Sequence, residues 1–394
     1  MNEIIVAGAG TGELTHEVHE ALSEADVVLS SSRFIKLIPE GKKIIPLKDF
    51  DSSFSQLEHE HGRKLILLSG DPCIYSLIPM IKKRFGNVKV LPGISSLQVL
   101  CARACESWSD AVILSGHGRT LRAGTFLNLV ERNRLVILFC DKNISPKWAC
   151  DNLIHIHGEL EVFIGCNLGS HDEHIFHGKP EEFACQNFPE LSIILVKNHS
   201  VYVPSNIHLR DSEFIRESRI VMTNESVRSV ILSRLNLDSA SVLWDIGAGS
   251  GSISISSGHE NIYAEIHAVE YKHEAADLIS RNASRFHVHN VIIHEAKALS
   301  VLHTLPAPTH IFIGGTEGEL AGILEFISHM KSPVYVMIAC VTLETFNMAY
   351  EILRDWENFD ALQVSVNTSK HLTSSMTLIN ASNPVMLISA NHNV

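Results

Sequence analysis

From one end of the chain to the other, short apolar runs alternate with stretches of helical periodicity, and no other feature restricts the fold as much. Strands separated by helix-length segments cannot pair as tight hairpins; they need crossover connections, so the pattern predicts an α/β protein built on parallel sheets. Strands are expected near residues 4–7, 27–29, 65–68 and 89–91, with helices near 14–23, 74–84 and 96–104. A second set of strands near 111–114, 135–139, 161–164 and 192–196 follows Trp108, which divides the first half into lobes of about 1–108 and 109–198. After Lys197 the pattern lapses into NHSVYVPSNIHLRDSEFIRESR, polar and without regular periodicity, before a fresh helix begins near Asn224. The domain boundary is placed there, giving domains 1–200 and 201–394. Seven further strands, near 242–246, 265–269, 291–293, 310–313, 334–338, 362–366 and 385–388, make a complete sheet for the second domain.

At 394 residues the chain is long for a single core. Its 32 Lys and Arg against 44 Asp and Glu leave a formal charge of −12, which argues against a general nucleic-acid or acidic-membrane surface. An anionic ligand must therefore meet a local basic pocket. No stretch approaches the ~20 apolar residues of a membrane helix, and the first ten residues are strand-like instead of a basic and then apolar leader. A soluble, cytoplasmic protein is expected, with no nucleic-acid and no membrane partner. Eight cysteines contain no C-x-x-C and lie mostly in apolar runs, consistent with reduced thiols. The 23 histidines include close pairs such as His287-Val-His289, but none is joined by a third ligand at a zinc spacing, so no metal is expected.

Two glycine turns stand out. In SVLWDIGAGSGSISIS, Gly247, Ala248, Gly249, Ser250 and Gly251 follow an apolar strand that ends in Asp245. Such a turn lets the backbone approach a ligand closely and points amide groups at it. The spacing is G-x-G-x-G instead of the G-x-G-x-x-G of a dinucleotide fold, which favours a ligand smaller than NAD. Asp245 is suited to a cationic amine. Glu270, 19 residues past Gly251, is suited to both ribose hydroxyls. Together they describe S-adenosyl-L-methionine, while a plain strand-to-helix connection and a solvated strand-end acid remain the alternatives.

The amino-terminal turn, with Gly8, Gly10 and Gly12, has no acid closing the next strand, so it is not a second copy. Three other stretches, LLSGDPCIYS, LPGISSLQ and SGHGR, each place Gly, Pro or Ser just after an apolar strand, where the loops of a parallel sheet form a crevice.

In order and spacing these motifs resemble the tetrapyrrole methylase family, in its precorrin-6Y branch. The second half, with TNESVRSVILSRL, LWDIGAGSGSISI, LPAPTHIFIGG and VTLET, is similar to the class I methyltransferase often fused to that family. The resemblance implies a two-lobed tetrapyrrole methylase domain followed by a Rossmann-like class I S-adenosylmethionine-dependent domain, with one cofactor in each. It implies that Gly70, Asp71, Pro72, Ser95 and Ser96 hold the first cofactor and that Gly8, Gly10 and Gly12 border the tetrapyrrole. It also implies that Thr223, Asp245, Gly247 to Gly251, Glu270 and Ala298 hold the second cofactor, and that Gly314 and Gly315 face the substrate. The implied activity is methylation of a precorrin, or its cobalt counterpart, at carbons 5 and 15 with decarboxylation of the ring C acetate. A homo-oligomer is expected.

Several residues depart from the family pattern: Thr11 stands for proline, Asn224 for lysine, Lys297 for an acid beside the adenine, Glu317 within the glycine loop and Ala339 for asparagine. An ammonium cannot accept a hydrogen bond from an adenine amino group. No Ser-His-Asp or Cys-His arrangement accompanies either turn, and no catalytic side chain is assigned; alignment in a dry cleft alone supplies ~7–11 kcal/mol to an in-line methyl transfer. Arg119, within SGHGR, is the foremost candidate for a substrate carboxylate, followed by Arg33, Arg210, Arg216 and Arg219. Two other functions fit the same turns: a nicotinamide-dependent reductase, and a protein with one competent module and one scaffold.

Overall fold

The computed structural model describes residues 4–11, 13–118, 121–371 and 376–393. The chain forms two compact units: Met1–Leu121 with Asn133–Val201, and Arg122–Arg132 with Tyr202–Val394.

In the first unit, β1 (Ile4–Gly8), β2 (Val27–Ser30), β3 (Lys43–Pro46), β4 (Lys64–Leu68) and β5 (Val88–Leu91) form an all-parallel sheet in the order β3-β2-β4-β1-β5. Successive residues serve opposite faces: Ala7, Val28, Leu65 and Leu67 pack on one side, and Val6, Leu29 and Ile66 meet Phe54 and Leu57 on the other. The strands therefore read as unbroken apolar runs. The sequence pattern does not announce β3 or the helix Phe50–His59. β3 is a four-residue edge strand ending in proline, and the helix buries only Ser53, Phe54 and Leu57.

A second sheet in the same unit contains β6 (Val112–Ser115), β7 (Leu135–Phe139), β8 (Leu160–Cys166), β9 (His174–Gly178) and β10 (Ser192–Asn198), in the order β6-β7-β10-β8-β9. Here the expectation of parallel strands is corrected. Only β6 and β7 run parallel, and the other three pairs are antiparallel. The loop 167–173 between β8 and β9 is too short for a crossover, so those strands must form a hairpin.

The second unit includes a helix from the first half of the sequence, Ala123–Arg132. Its apolar side chains are buried together with Asn128 and Glu131, and both polar residues find partners. Asn128 donates through Nδ2 to Asn290 Oδ1 (3.0 Å) and accepts at Oδ1 from the His289 amide (3.0 Å). Burial pushes the Glu131 carboxyl up, but the His289 and His287 imidazoles, each 3.0 Å away, outweigh it and hold the group below its ordinary value.

The main sheet of this unit is built from β11 (Val242–Ile246), β12 (Glu265–Glu270), β13 (Val291–Glu295), β14 (His310–Ile313), β15 (Val334–Cys340), β16 (Glu357–Val364) and, after a separate ribbon of β17 (Asn367–His371) and β18 (Thr377–Ala381), β19 (Val385–His392). The order is β13-β12-β11-β14-β15-β19-β16. The first five strands are parallel, and β19 runs antiparallel to both neighbours. The chain moves outward from β11 through β12 to β13, then returns to the other side of β11 as β14. That reversal opens a crevice at the carboxyl ends of β11 and β14.

Among the described residues no helix is long and apolar enough to cross a membrane, and no group of His, Cys, Asp and Glu side chains is arranged to hold a metal ion. Five of the eight cysteines are buried; Cys73, Cys105 and Cys185 are exposed.

Candidate functional site

In the first unit β1, β4 and β5 end together, with Gly8 opposite Leu68 and Ala7 opposite Leu91. Beyond them the two glycine segments bridge, Gly10 and Gly70 each donating an amide to the other's carbonyl at 3.3 Å. Both have positive φ, 60° and 62°. A Cβ on Gly8 would lie 2.7 Å from the Gly93 nitrogen and 2.8 Å from its Cα, and would strike the Gly70 carbonyl. Gly8, Gly70 and Gly93 therefore form one backbone-on-backbone junction, and Gly93 belongs to the site although its motif points first to the serines. Asp71 Oδ1 accepts the Cys73 amide (2.7 Å). Ser95 caps the helix Ser96–Arg103: its hydroxyl accepts the Leu97 amide, and Gln98 returns an acceptor to the Ser95 amide. Pro72 is buried and Ser96 half-buried beside them. Gly12 and Arg119 lie outside the described residues.

Because three backbones meet at Gly8, Gly8→Ala is expected to lower the stability of the first unit by roughly 1–3 kcal/mol. An unchanged midpoint in urea denaturation would show that the junction yields.

In the second unit a cleft of about 630 Å³ opens at the ends of β11, β12 and β14. Thr223, Asp245, Gly247, Ala248, Gly249, Glu270, Ala298, Gly314 and Gly315 all line it. Ser250 and Gly251 lie just behind. Gly251 has φ 75° and packs against Ile279, while Ser250 donates its amide to the Val221 carbonyl (3.2 Å). The turn needs its glycines. Gly247 has φ 72°, and a Cβ there would come within 2.7 Å of the Gly315 nitrogen and carbonyl carbon; one on Gly249, φ 57°, would sit 2.9 Å from the Val221 oxygen.

The two acids are fixed differently. Glu270 accepts the Gly249 amide at Oε2 (2.9 Å) and the Lys272 amide at Oε1 (3.0 Å), so its carboxylate is held under the turn. Asp245 is buried; its Oδ2 accepts both the amide (3.0 Å) and the hydroxyl of Ser254. Burial pushes its carboxyl up to about 6 against the opposing pull of those Ser254 bonds, and the nearby Glu270 charge adds to the rise.

One wall of the cleft is the irregular strap 219–223. Of two buried side chains that sequence reasoning missed, Arg228 anchors it and Asn282 ties the preceding segment to the turn. Arg228, 2% exposed, donates to Asp211 Oδ1 (2.8 Å), to the Thr223 carbonyl (2.8 Å) and to the Leu209 carbonyl (2.7 Å). Asn282, fully buried, bonds the Ile215 amide (2.9 Å) and reaches the Ser250 carbonyl (3.3 Å). Arg228 sits on a helix whose apolar periodicity gives no sign that an arginine faces inward.

Four of the departures from the family pattern meet at this cleft. Asn224 lines the cleft and also caps its helix by accepting the Ser226 amide (2.9 Å). Lys297, Glu317 and Ala339 line it with Asn224. Among the arginines, Arg219 also lines it, whereas Arg216 is paired with Asp211 and Arg33 lies over the Phe34 ring.

Residues 3–184 match the model of the tetrapyrrole (corrin/porphyrin) methylases, and residues 214–392 match that of the precorrin methyltransferase domain. The precorrin-6Y C(5,15)-methyltransferase (decarboxylating) of Sinorhizobium sp is 26% identical over 347 residues, covering 85% of this chain and 83% of that protein. A probable cobalt-precorrin-6B C(15)-methyltransferase (decarboxylating) of Pyrobaculum calidifontis is 34% identical over 185 residues, 46% of this chain and 93% of that one. A probable cobalt-precorrin-7 C(5)-methyltransferase of Methanocaldococcus jannaschii is 29% identical over 204 residues, 48% of this chain and 95% of that one. With a methylase module in its first half and a decarboxylating module in its second, the chain belongs to the precorrin-6Y C(5,15)-methyltransferase (decarboxylating) family.

Proposed function

We propose that the chain methylates a precorrin-6Y-type tetrapyrrole at carbons 5 and 15 and decarboxylates the ring C acetate, with one S-adenosylmethionine bound in each unit. The observation that carries this reading is the second unit's cleft, walled by glycine backbone and floored by a carboxylate tied to the turn itself. The residues suit a nucleoside sulfonium. Glu270 keeps lone pairs for a ribose diol, and Asp245, which lines the cleft with its Oδ2 held by Ser254, would accept from an ammonium through Oδ1. In the first unit Gly70, Asp71, Pro72, Ser95 and Ser96 would hold the other cofactor, Gly8 and Gly10 would border the tetrapyrrole, and Arg119 is the candidate for a substrate carboxylate.

The donor supplies an electrophilic methyl group when bound. The protein's own part is to hold the substrate in line and keep water out, the latter through Ile253, Val269 and Phe312 along the second cleft. The substrate's enamine-like meso carbon provides the electron pair, a carbon–carbon bond forms as the methyl–sulfur bond breaks, and the meso proton is lost. In decarboxylation the carbon–carboxylate electron pair passes into the macrocycle as carbon dioxide leaves, and a proton returns to the acetate carbon. A homo-oligomer is part of the same reading.

Mass spectrometry after incubation of the full chain with precorrin-6Y tests it. Two added methyl groups less one carbon dioxide are expected, and calorimetry should count two S-adenosylhomocysteine sites, one lost in Asp71→Ala and the other in Gly249→Arg. A wild-type stoichiometry of one would leave a single competent module, a reading favoured by the Lys297 ammonium in the second cleft. Binding of NADPH in place of the methyl donor would reject the proposal entirely.

A further inference from the structure

We propose that Lys297 is the base-reading residue of the second cleft, and that, by donating a hydrogen bond where an acid would accept one, it shifts the site's preference from a 6-amino purine nucleoside towards a 6-oxo one. This rests on the reading of that cleft as a nucleoside sulfonium site.

Sheet order places the base. Glu270, at the end of β12, is the acid suited to a ribose diol, and Asp245, on β11, is the acid suited to the ammonium of the amino-acid arm. β13 lies on the side of β12 away from β11, with Glu295 opposite Glu270. A nucleoside anchored by these two acids therefore runs its base away from β11, towards the carboxyl end of β13. The chain at that end is tied to the ribose acid itself. The Ala296 amide donates to the Glu270 carbonyl (3.1 Å), and Lys297 is the next residue. The Lys297 carbonyl accepts the amide (3.1 Å) and the hydroxyl (2.7 Å) of Ser300, which fixes the backbone from which the side chain leaves. Ala296, Lys297 and Ala298 all line the cleft, and the two alanines leave room for a flat ring.

The ammonium is available to a ligand. Among the described residues no hydrogen bond or ion pair takes it, and the acids of the neighbouring loops are engaged elsewhere. Glu317 Oε1 lies 3.1 Å from Lys272 Nζ, Glu295 Oε2 lies 3.0 Å from His273 Nδ1, and the Glu270 carboxylate accepts two backbone amides.

The donor inventory then sets the preference. An ammonium has three donors and no acceptor. The 6-amino group of adenine is also a donor, so beside Lys297 it would lose water without gaining a partner. The 6-carbonyl oxygen of hypoxanthine would instead accept a charge-assisted bond. Ribose and amino acid are held alike in both cases, so the difference falls on the base alone.

Calorimetry of the full chain with S-adenosylhomocysteine and with S-inosylhomocysteine, its 6-oxo counterpart, tests the inference, the second-site isotherm being the one that Gly249→Arg abolishes. The wild type is expected to bind the inosyl compound at that site at least as tightly as the adenosyl one. Lys297→Glu, which replaces the donor by an acceptor, should reverse this to an adenosyl preference of about tenfold. Lys297→Met, which removes the donor and adds no acceptor, should weaken the inosyl compound about tenfold and leave the adenosyl one within about twofold of wild type. Lys297 is exposed, so both variants should keep the wild-type midpoint in urea. An equal adenosyl preference in all three proteins would overturn the base-reading role and leave the methyltransferase reading standing. Failure of the wild-type second site to bind either nucleoside would instead remove the reading on which that role depends.

Discussion

Gly247→Ala is expected to abolish nucleoside binding in the second unit and to lower that unit's stability by about 2–5 kcal/mol, the sum of left-handed strain and backbone overpacking. Gly247 has φ 72°, and an added Cβ would meet the Gly315 nitrogen and carbonyl carbon at 2.7 Å. Neither contact involves a flexible side chain that could rotate away. Relief requires the turn after β11 and the loop after β14 to separate, which pulls Gly249 from Glu270 and destroys the cradle. Gly318→Ala in the same unit is the control, because Gly318 has φ 91° with nothing within 4 Å of its added Cβ. It carries the strain without the collision. Calorimetric stoichiometry should fall from two to one in Gly247→Ala and stay at two in Gly318→Ala; wild-type binding by the first variant would disprove the backbone junction.

Asp245→Asn is expected to move stability and binding in opposite directions. Burial lifts this carboxyl from 3.8 to about 6 in the ligand-free protein. A carboxyl with a raised folded value favours folding below its unfolded value, and that contribution is lost as pH climbs through about 6. At pH 8 the ionised group therefore costs the protein about 3 kcal/mol, since each tenfold change in proton affinity corresponds to about 1.4 kcal/mol. Asparagine keeps an oxygen for the two Ser254 donors and removes the charge, so the variant should unfold at higher urea concentration at pH 8, with the gain shrinking towards pH 4. Its affinity for S-adenosylhomocysteine should fall at least about tenfold, because the amine loses its charged acceptor. In the wild type the same affinity should weaken as pH falls below about 6. A flat pH profile, or an unstabilised variant at pH 8, would contradict the assignment.

The two turns are legible in the sequence because backbone geometry is written locally. A left-handed φ at Gly247, Gly249, Gly251, Gly10 and Gly70 demands glycine, and glycine at those spacings after an apolar run is visible in one dimension. The strand limits 242–246 and 310–313 are legible for a similar reason, as burial on both faces leaves continuous apolar runs. Glu270 is found by its interval from the turn. What it touches is not: the bond to the Gly249 amide depends on β12 lying next to β11 in register, Asp245 beside Ala268.

Other residues send no signal. Arg228 and Asn282 read as ordinary helix-surface residues, yet both are buried: Arg228 fastens the strap that walls the cleft, and Asn282 joins Ile215 to the Ser250 carbonyl behind the turn. The antiparallel half of the second sheet is hidden because β10 inserts between β7 and β8, a long-range choice that no local window records. The helix Ala123–Arg132 looks like any crossover between β6 and β7, and only Asn128 and Glu131, polar residues buried against Asn290, His287 and His289, reveal its company.

The sequence alone determined that the chain is α/β, that it bends on glycine after particular strands and that acids stand at the ends of those strands, since each of these follows from short-range sterics and periodicity. The tertiary structure decided which glycine faces which backbone, which acid lies beneath which amide and which cation meets Glu317. Those pairings join residues tens of positions apart, and sheet order and register set them only when the core closes.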